Sequence, residues 1–188
     1  MKRIHQLLVL ACISAVVIAG FSWATAIAVH RQPLELAQAA SSSGQRILEV
    51  ALQESATARL TSGESYTGGL TAFDSSNLTL SSGNFSQPVP LAQLREVEFF
   101  GDVWILTPEG WQRSPVIRGL AIPLEGVSVD AFELSSPGKS ANLDLTDVLD
   151  DEEFARLLRD PNKIHTVTEI TFTASEQMDV TVKSVLRR

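Results

Sequence analysis

Residues 56–80 read ATARLTSGESYTGGLTAFDSSNLTL, and the segment Thr57–Leu80 decides the fold. Ala58 and Leu60 lie on one face of an extended segment, and Arg59 and Thr61 on the other. Ser62-Gly63-Glu64-Ser65 supplies a turn, because Gly63 accepts a positive φ at no steric cost. Tyr66, Leu70 and Phe73 give the next strand its apolar side chains. Gly68-Gly69 inside that strand predicts a sharp bend or bulge rather than a flat run. Asp74-Ser75-Ser76-Asn77 is a second turn, in which Asp and Asn bond their own backbone. Leu78 and Leu80 alternate with Thr79 and open a third strand. A strongly bent strand within a short meander is how small antiparallel barrels close. The expected fold class is therefore mainly β: a small antiparallel β-barrel or sandwich.

The order Leu60, Gly63, Gly68, Leu70, Phe73, Asp74, Asn77, Leu80 resembles the first sequence motif of the Sm/LSm family. The resemblance implies a small barrel, with Arg46–Gln53 as its short N-terminal helix and edge strands that pair between subunits to form a ring. It covers residues 46–80. Two departures stand out. The Asp74–Asn77 spacing is one residue short of the family pattern. The second motif, an apolar residue followed by Arg-Gly, occurs as Ile117-Arg118-Gly119, far downstream. A generic small β-barrel or sandwich with the same turn chemistry is the alternative.

The N-terminus reads as a membrane segment. Lys2, Arg3 and His5 precede Leu7–Val29, a run of 23 residues without charge. At ~1.5 Å rise per residue such a helix crosses a bilayer core. A cleavable signal has an apolar region of only ~7–15 residues. Cleavage after Ala37-Gln38-Ala39, releasing a secreted protein, is the competing expectation. In both cases the leading basic residues place the bulk of the chain outside the cytoplasm. Cys12 is the only cysteine, so the exported part has neither a disulfide framework nor a thiolate metal site. Val9-Leu10-Ala11-Cys12 is a poor lipobox, because the apolar run continues well past Cys12. Residues 1–31 are thus the anchor or signal, and residues 32–44, small and polar, a tether. Residues 45–106 form the small-barrel region. Residues 107–188 form a β-rich extension or part of the same domain.

From residue 40 onward there are 12 Lys and Arg against 21 Asp and Glu, a net charge of −9. Phosphate contacts dominate nucleic-acid affinity and need a basic footprint, so no nucleic-acid partner is expected.

Beyond the central stretch, Pro88 and Pro90 assign Phe85–Val89 to a sheet edge. Leu94–Phe100 and Val103–Leu106 read as two strands separated by Gly101-Asp102. Val116–Pro123 and Val127–Leu134 are extended pieces split by Leu124-Glu125-Gly126. Gly119-Leu120 with Phe132–Ser136 echoes Gly69-Leu70 with Leu78–Ser82, a hint of a duplicated barrel. The spacing predicts one soluble helix over Val148–Arg159, capped by Thr146 or Asp147 and stopped by Asp160-Pro161-Asn162. Ile164–Ala174 and Val180–Leu186 form a terminal hairpin.

Signals for chemistry are sparse. His165 is the one histidine beyond the anchor and tether; it reads as a surface residue at a strand mouth. Gly63 to Gly68 is one residue too long for a Gly-x-Ser-x-Gly elbow. Ser136-Pro137-Gly138-Lys139 fits Ser-x-x-Lys on paper, but Pro-Gly forbids the helix that motif needs. Asp144, Asp147, Asp150, Asp151, Glu152 and Glu153 lack the alternating calcium loop and read as an acidic helix start. Asn77-Leu78-Thr79 and Asn84-Phe85-Ser86 are glycosylation sequons only in a host that uses them. No enzyme, cofactor or metal is expected. Trp104 and Trp111, flanking the Pro108–Gly110 turn, are the candidate interaction surface. The expected role is an extracytoplasmic interaction or assembly module, with a protein partner or its own copies. A cell-surface polysaccharide-binding module is the alternative, and a small hydrolase the third reading.

Overall fold

The computed structural model describes residues 44–115, 119–174 and 176–186. The expected membrane segment and Ile117-Arg118 lie outside them. Twelve strands and one helix make up the described residues, so the chain is mainly β. The first six strands are β1 (Ile47–Ala51), β2 (Gln53–Leu60), β3 (Ser65–Phe73), β4 (Asn77–Ser82), β5 (Phe85–Pro90) and β6 (Leu94–Thr107). Then come β7 (Gly110–Ser114), β8 (Ala121–Ser128), β9 (Phe132–Ser136), β10 (Ser140–Asp144), helix α1 (Asp151–Leu157), β11 (Lys163–Ala174) and β12 (Gln177–Leu186).

The segment around Thr57–Leu80 folds as its turns dictate. Gly63 adopts φ +92° between β2 and β3, and Asp74 Oδ1 accepts from the backbone N–H groups of Ser76 and Asn77. β3 changes partner at its two glycines. Residues 65–68 pair with β2 and residues 69–73 with β4, with a register shift between Leu70 and Ala72. A Cβ on Gly68 would sit 2.7 Å from the carbonyl oxygen of Ser81, which is why the bend needs glycine there. β4 pairs with β5, whose Pro88 and Pro90 do mark the end of the sheet path. A 3-10 turn, Leu91–Gln93, then carries the chain into β6, which returns to pair with β2.

β2–β6 make up a first lobe, and a second lobe built on β8–β10 uses the same corner. β8 passes through the 3-10 turn Val129–Ala131 into β9, which pairs with β10. Buried Val89, Leu91 and Leu94 at the first corner are matched by buried Val127, Val129 and Phe132 at the second, with identical spacing. In both turns the residue after the turn donates its N–H to the first turn carbonyl. This recurrence is offset from the Gly119-Leu120 echo expected from sequence.

Four elements differ from expectation. Arg46–Gln53 is strand rather than helix: Leu48 and Val50 alternate inward, and β1 pairs antiparallel with β10 and parallel with β11. β6 is one strand of 14 residues, because Gly101 at φ +95° bends it instead of ending it. Gly126 likewise kinks β8 without breaking it, its N–H held by Asp179. α1 starts later than expected and is capped by Asp150, in a reciprocal box with Glu153. Thr146 cannot cap it, since its hydroxyl is already engaged by Asp144 and by the Arg46 N–H.

The two lobes share one sheet and one core. Ala58, Val97, Ile170, Val180 and Leu124 are successive cross-strand partners across β2, β6, β11, β12 and β8, and all are buried. Each such aliphatic side chain contributes roughly 1.5–3 kcal/mol of burial, Ala58 less. On the opposite face the matching row is polar. Arg59 bonds Glu96 and Glu98, and its hydrogen bond holds the Glu96 carboxyl below its ordinary range. The sheet curls, bringing Phe73 of β3 edge-on to Phe132 of β9 with ring centroids 5.0 Å apart.

Candidate functional site

Beyond the core, β6 continues into a two-stranded arm with β7. Leu106 pairs with Trp111 and Trp104 with Arg113. Directly opposed residues share a face, as do residues two apart. Trp104, Leu106, Trp111 and Arg113 therefore form one side of the arm. The two tryptophans singled out in the sequence are brought together, both half-buried.

A lysine from elsewhere in the chain completes the cluster. Lys139 sits in the turn Ser136–Lys139 between β9 and β10, where Pro137 precedes Gly138 at φ +69° and the Lys139 N–H donates to the Ser136 carbonyl. The Lys139 carbonyl in turn accepts from the N–H of Leu52 at 2.7 Å, which fixes the turn against the β1–β2 junction. The Lys139 ammonium then lies 5.5 Å from the Trp104 ring centroid and 5.1 Å from that of Trp111. The Arg113 guanidinium lies 5.1 Å from the Trp104 ring and 3.5 Å from a Glu54 carboxylate oxygen. Cation–π contacts of this kind add about 0.5–1 kcal/mol each at exposed sites. Leu106 remains 60% exposed beside them.

Lys139 and Arg113 were missed from sequence. Lys139 is a loop residue 28 positions beyond Trp111, and only strand register places Arg113 opposite Trp104.

His165 is a correction to the sequence reading. It is buried, not on the surface: it stands between Val50 of β1 and Ser184 of β12. Its Nδ1 is 3.0 Å from the Ser184 hydroxyl oxygen. Burial, reinforced by Lys163, lowers its pKa below the ordinary imidazole value. Ser136 and Lys139 are the two ends of a turn, and Lys139 reaches the tryptophans. The acidic group at 144–153 is split among the Thr146 turn, the α1 cap and the Arg46–Asp151 ion pair. No three-residue metal-ligating group occurs among the described residues, and none of their helices is long and apolar enough to cross a membrane.

No family model, curated protein or solved structure matches this chain.

Proposed function

We propose that the chain is a non-catalytic extracytoplasmic module, tethered through Leu7–Val29, that works in one copy and binds a protein partner through the outer face of the β6–β7 arm. The observation that carries this reading is the Trp104, Leu106, Trp111, Arg113 and Lys139 cluster. Aromatic residues and arginine beside an exposed aliphatic are the composition of binding hot spots. The polysaccharide reading is weaker. Lys139 stands over one face of both indole rings, which leaves less of them for a sugar to stack on.

The strand order β5-β4-β3-β2-β6, with its 3-10 corner, supports an Sm-like small barrel for the first lobe. The edges argue against a ring of such subunits. The second edge of β6 is taken by β11 and then β7 within the same chain. Pro88 and Pro90 remove donors from β5.

The test is capture from the host's membrane and extracytoplasmic fractions, using the full chain and two variants. Leu106→Asp places a charge in the proposed face. Phe85→Asp does the same at a residue of similar exposure, 63%, at the start of β5. Loss of a specific partner in the first variant alone supports the proposal. Equal capture by both, or retention on insoluble glycan that Trp111→Ala removes, overturns it.

A further inference from the structure

Resting on that reading, we infer that the binding face is gated by pH: Lys139 covers the two indoles while His165 is neutral, and draws away from them when His165 takes up a proton. The sheet order carries the argument. Along the path β6-β11-β1-β10-β9 the face spans the seam between β11 and β1. Trp104 and Trp111 stand on the β6 side, which is joined to β11 through residues 169–171. Lys139 comes from the β9–β10 turn, on the β1 side. The seam itself is two residue pairs long, Val50–His165 and Ala51–Thr166. By contrast, β1 pairs with β10 along its whole length, Ile47–Ala51, and β11 pairs with β12 from Lys163 to Ala174. Next along the chain, the Leu52 N–H holds the Lys139 carbonyl and the Gln53 amide donates to the Val167 carbonyl. Residues 165–167 therefore back the junction that carries Lys139.

A proton on His165 puts a charge into that seam. Val167, two residues on, belongs to the core, so the imidazole lies on the core side of β11. His165 is 5% exposed. Its surroundings offer an imidazolium no anion. β1 brings Val50, β12 brings the Ser184 hydroxyl, and the charge that acts on it from its own strand is Lys163, also positive. Glu49 and Lys183, beside Val50 and Ser184, alternate to the other face. The α1 carboxylates are engaged elsewhere: Asp151 with Arg46, Glu152 with Arg156 and Glu153 with the helix cap. Asp144 of β10 holds Thr146. A buried charge without a counter-charge is costly. The local shift that lets water reach it costs least where pairing is shortest. That place is the β1–β11 seam. Movement there carries β1, β10 and the Lys139 turn relative to the β6–β7 arm, with Leu52 as the joint.

The test is acrylamide quenching of indole fluorescence in the detergent-solubilised full chain, with far-UV circular dichroism alongside. Quenching should rise as the pH falls below the ordinary imidazole value of about 6.5. It should reach the level that a Lys139→Met variant already shows at neutral pH, with the dichroism unchanged. His165→Gln should keep the neutral-pH level throughout. A second readout needs no variant: hydrogen exchange, corrected for its intrinsic rate, should quicken at residues 50–52 on acidification and stay slow at residues 180–182. Quenching that stays level until the dichroism is lost, a rise that His165→Gln retains, or exchange that quickens equally in both segments overturns the inference. Such a failure leaves the proposed face standing, because capture through Leu106 is measured separately at neutral pH. Loss of that capture with the quenching change intact sinks the interaction reading alone.

Discussion

Replacing Gly68 with alanine tests the bend on which the first lobe depends. The added methyl would lie 2.7, 2.9 and 3.0 Å from the oxygen, carbon and nitrogen of Ser81, all backbone atoms. Ser81 is held on both sides, by Gly69 of β3 and Ser86 of β5. No rotamer change relieves the clash; a strand must shift. Overpacking of a tight site costs about 1–3 kcal/mol, and the rigid neighbours place this substitution at about 3 kcal/mol. A domain of this size loses about 2–4 °C in Tm per kcal/mol, so the expected drop is about 6–12 °C. Gly63→Ala is the control. Gly63 has open space around it and only its φ of +92° to strain, for which about 1 kcal/mol is expected. Urea unfolding followed by tryptophan fluorescence measures both. A Gly68→Ala protein as stable as the parent, or no less stable than Gly63→Ala, refutes the close approach of β3 to β4.

Three further outcomes are expected. The unfolded chain binds a proton at His165 near pH 6.5, whereas the buried site resists protonation. Stability is therefore level above about pH 7, falls as the pH drops below the unfolded value, and levels again below the folded one. The His165→Gln variant should lose that slope in urea midpoints between pH 5 and 8, and an unchanged slope refutes the assignment. Asp150→Ala removes the α1 cap, worth about 1 kcal/mol; hydrogen exchange should rise in α1 while the core row around Val97 stays protected. Glu98 and Glu169 face each other directly across β6 and β11. Relieving that repulsion with Glu169→Thr should stabilise the protein by about 0.5 kcal/mol, and a fall in urea midpoint contradicts it.

The local features of the fold were legible because their causes are local. Gly63, the Asp74–Asn77 turn, the Gly68-Gly69 bend and the β5 prolines each act through their own backbone dihedrals or missing donors. What escaped were features set by distant partners. RILEVALQ carries helix-compatible spacing, and only β10 and β11, about 90 or more residues away, make Ile47–Ala51 a strand. Gly101 and Gly126 read as strand ends because a kink and a stop look alike in sequence. The repeated corner had a signal, apolar residues at i, i+2 and i+5 in both Val89–Leu94 and Val127–Phe132. It was obscured by a nearer match of Gly-Leu pairs. At the candidate site the tryptophans stood out by rarity, whereas Lys139 and Arg113 are ordinary surface cations until the β9–β10 turn and the β6–β7 register bring them over the rings.

The most direct measurement is photocrosslinking in the host, with a photoreactive residue introduced at Leu106 or, in a second strain, at Phe85. The proposed role predicts a discrete adduct with another protein from position 106 and none from position 85. An adduct between two copies of this chain, or equal adducts from both positions, contradicts the claim that the β6–β7 arm of a single copy is the binding surface.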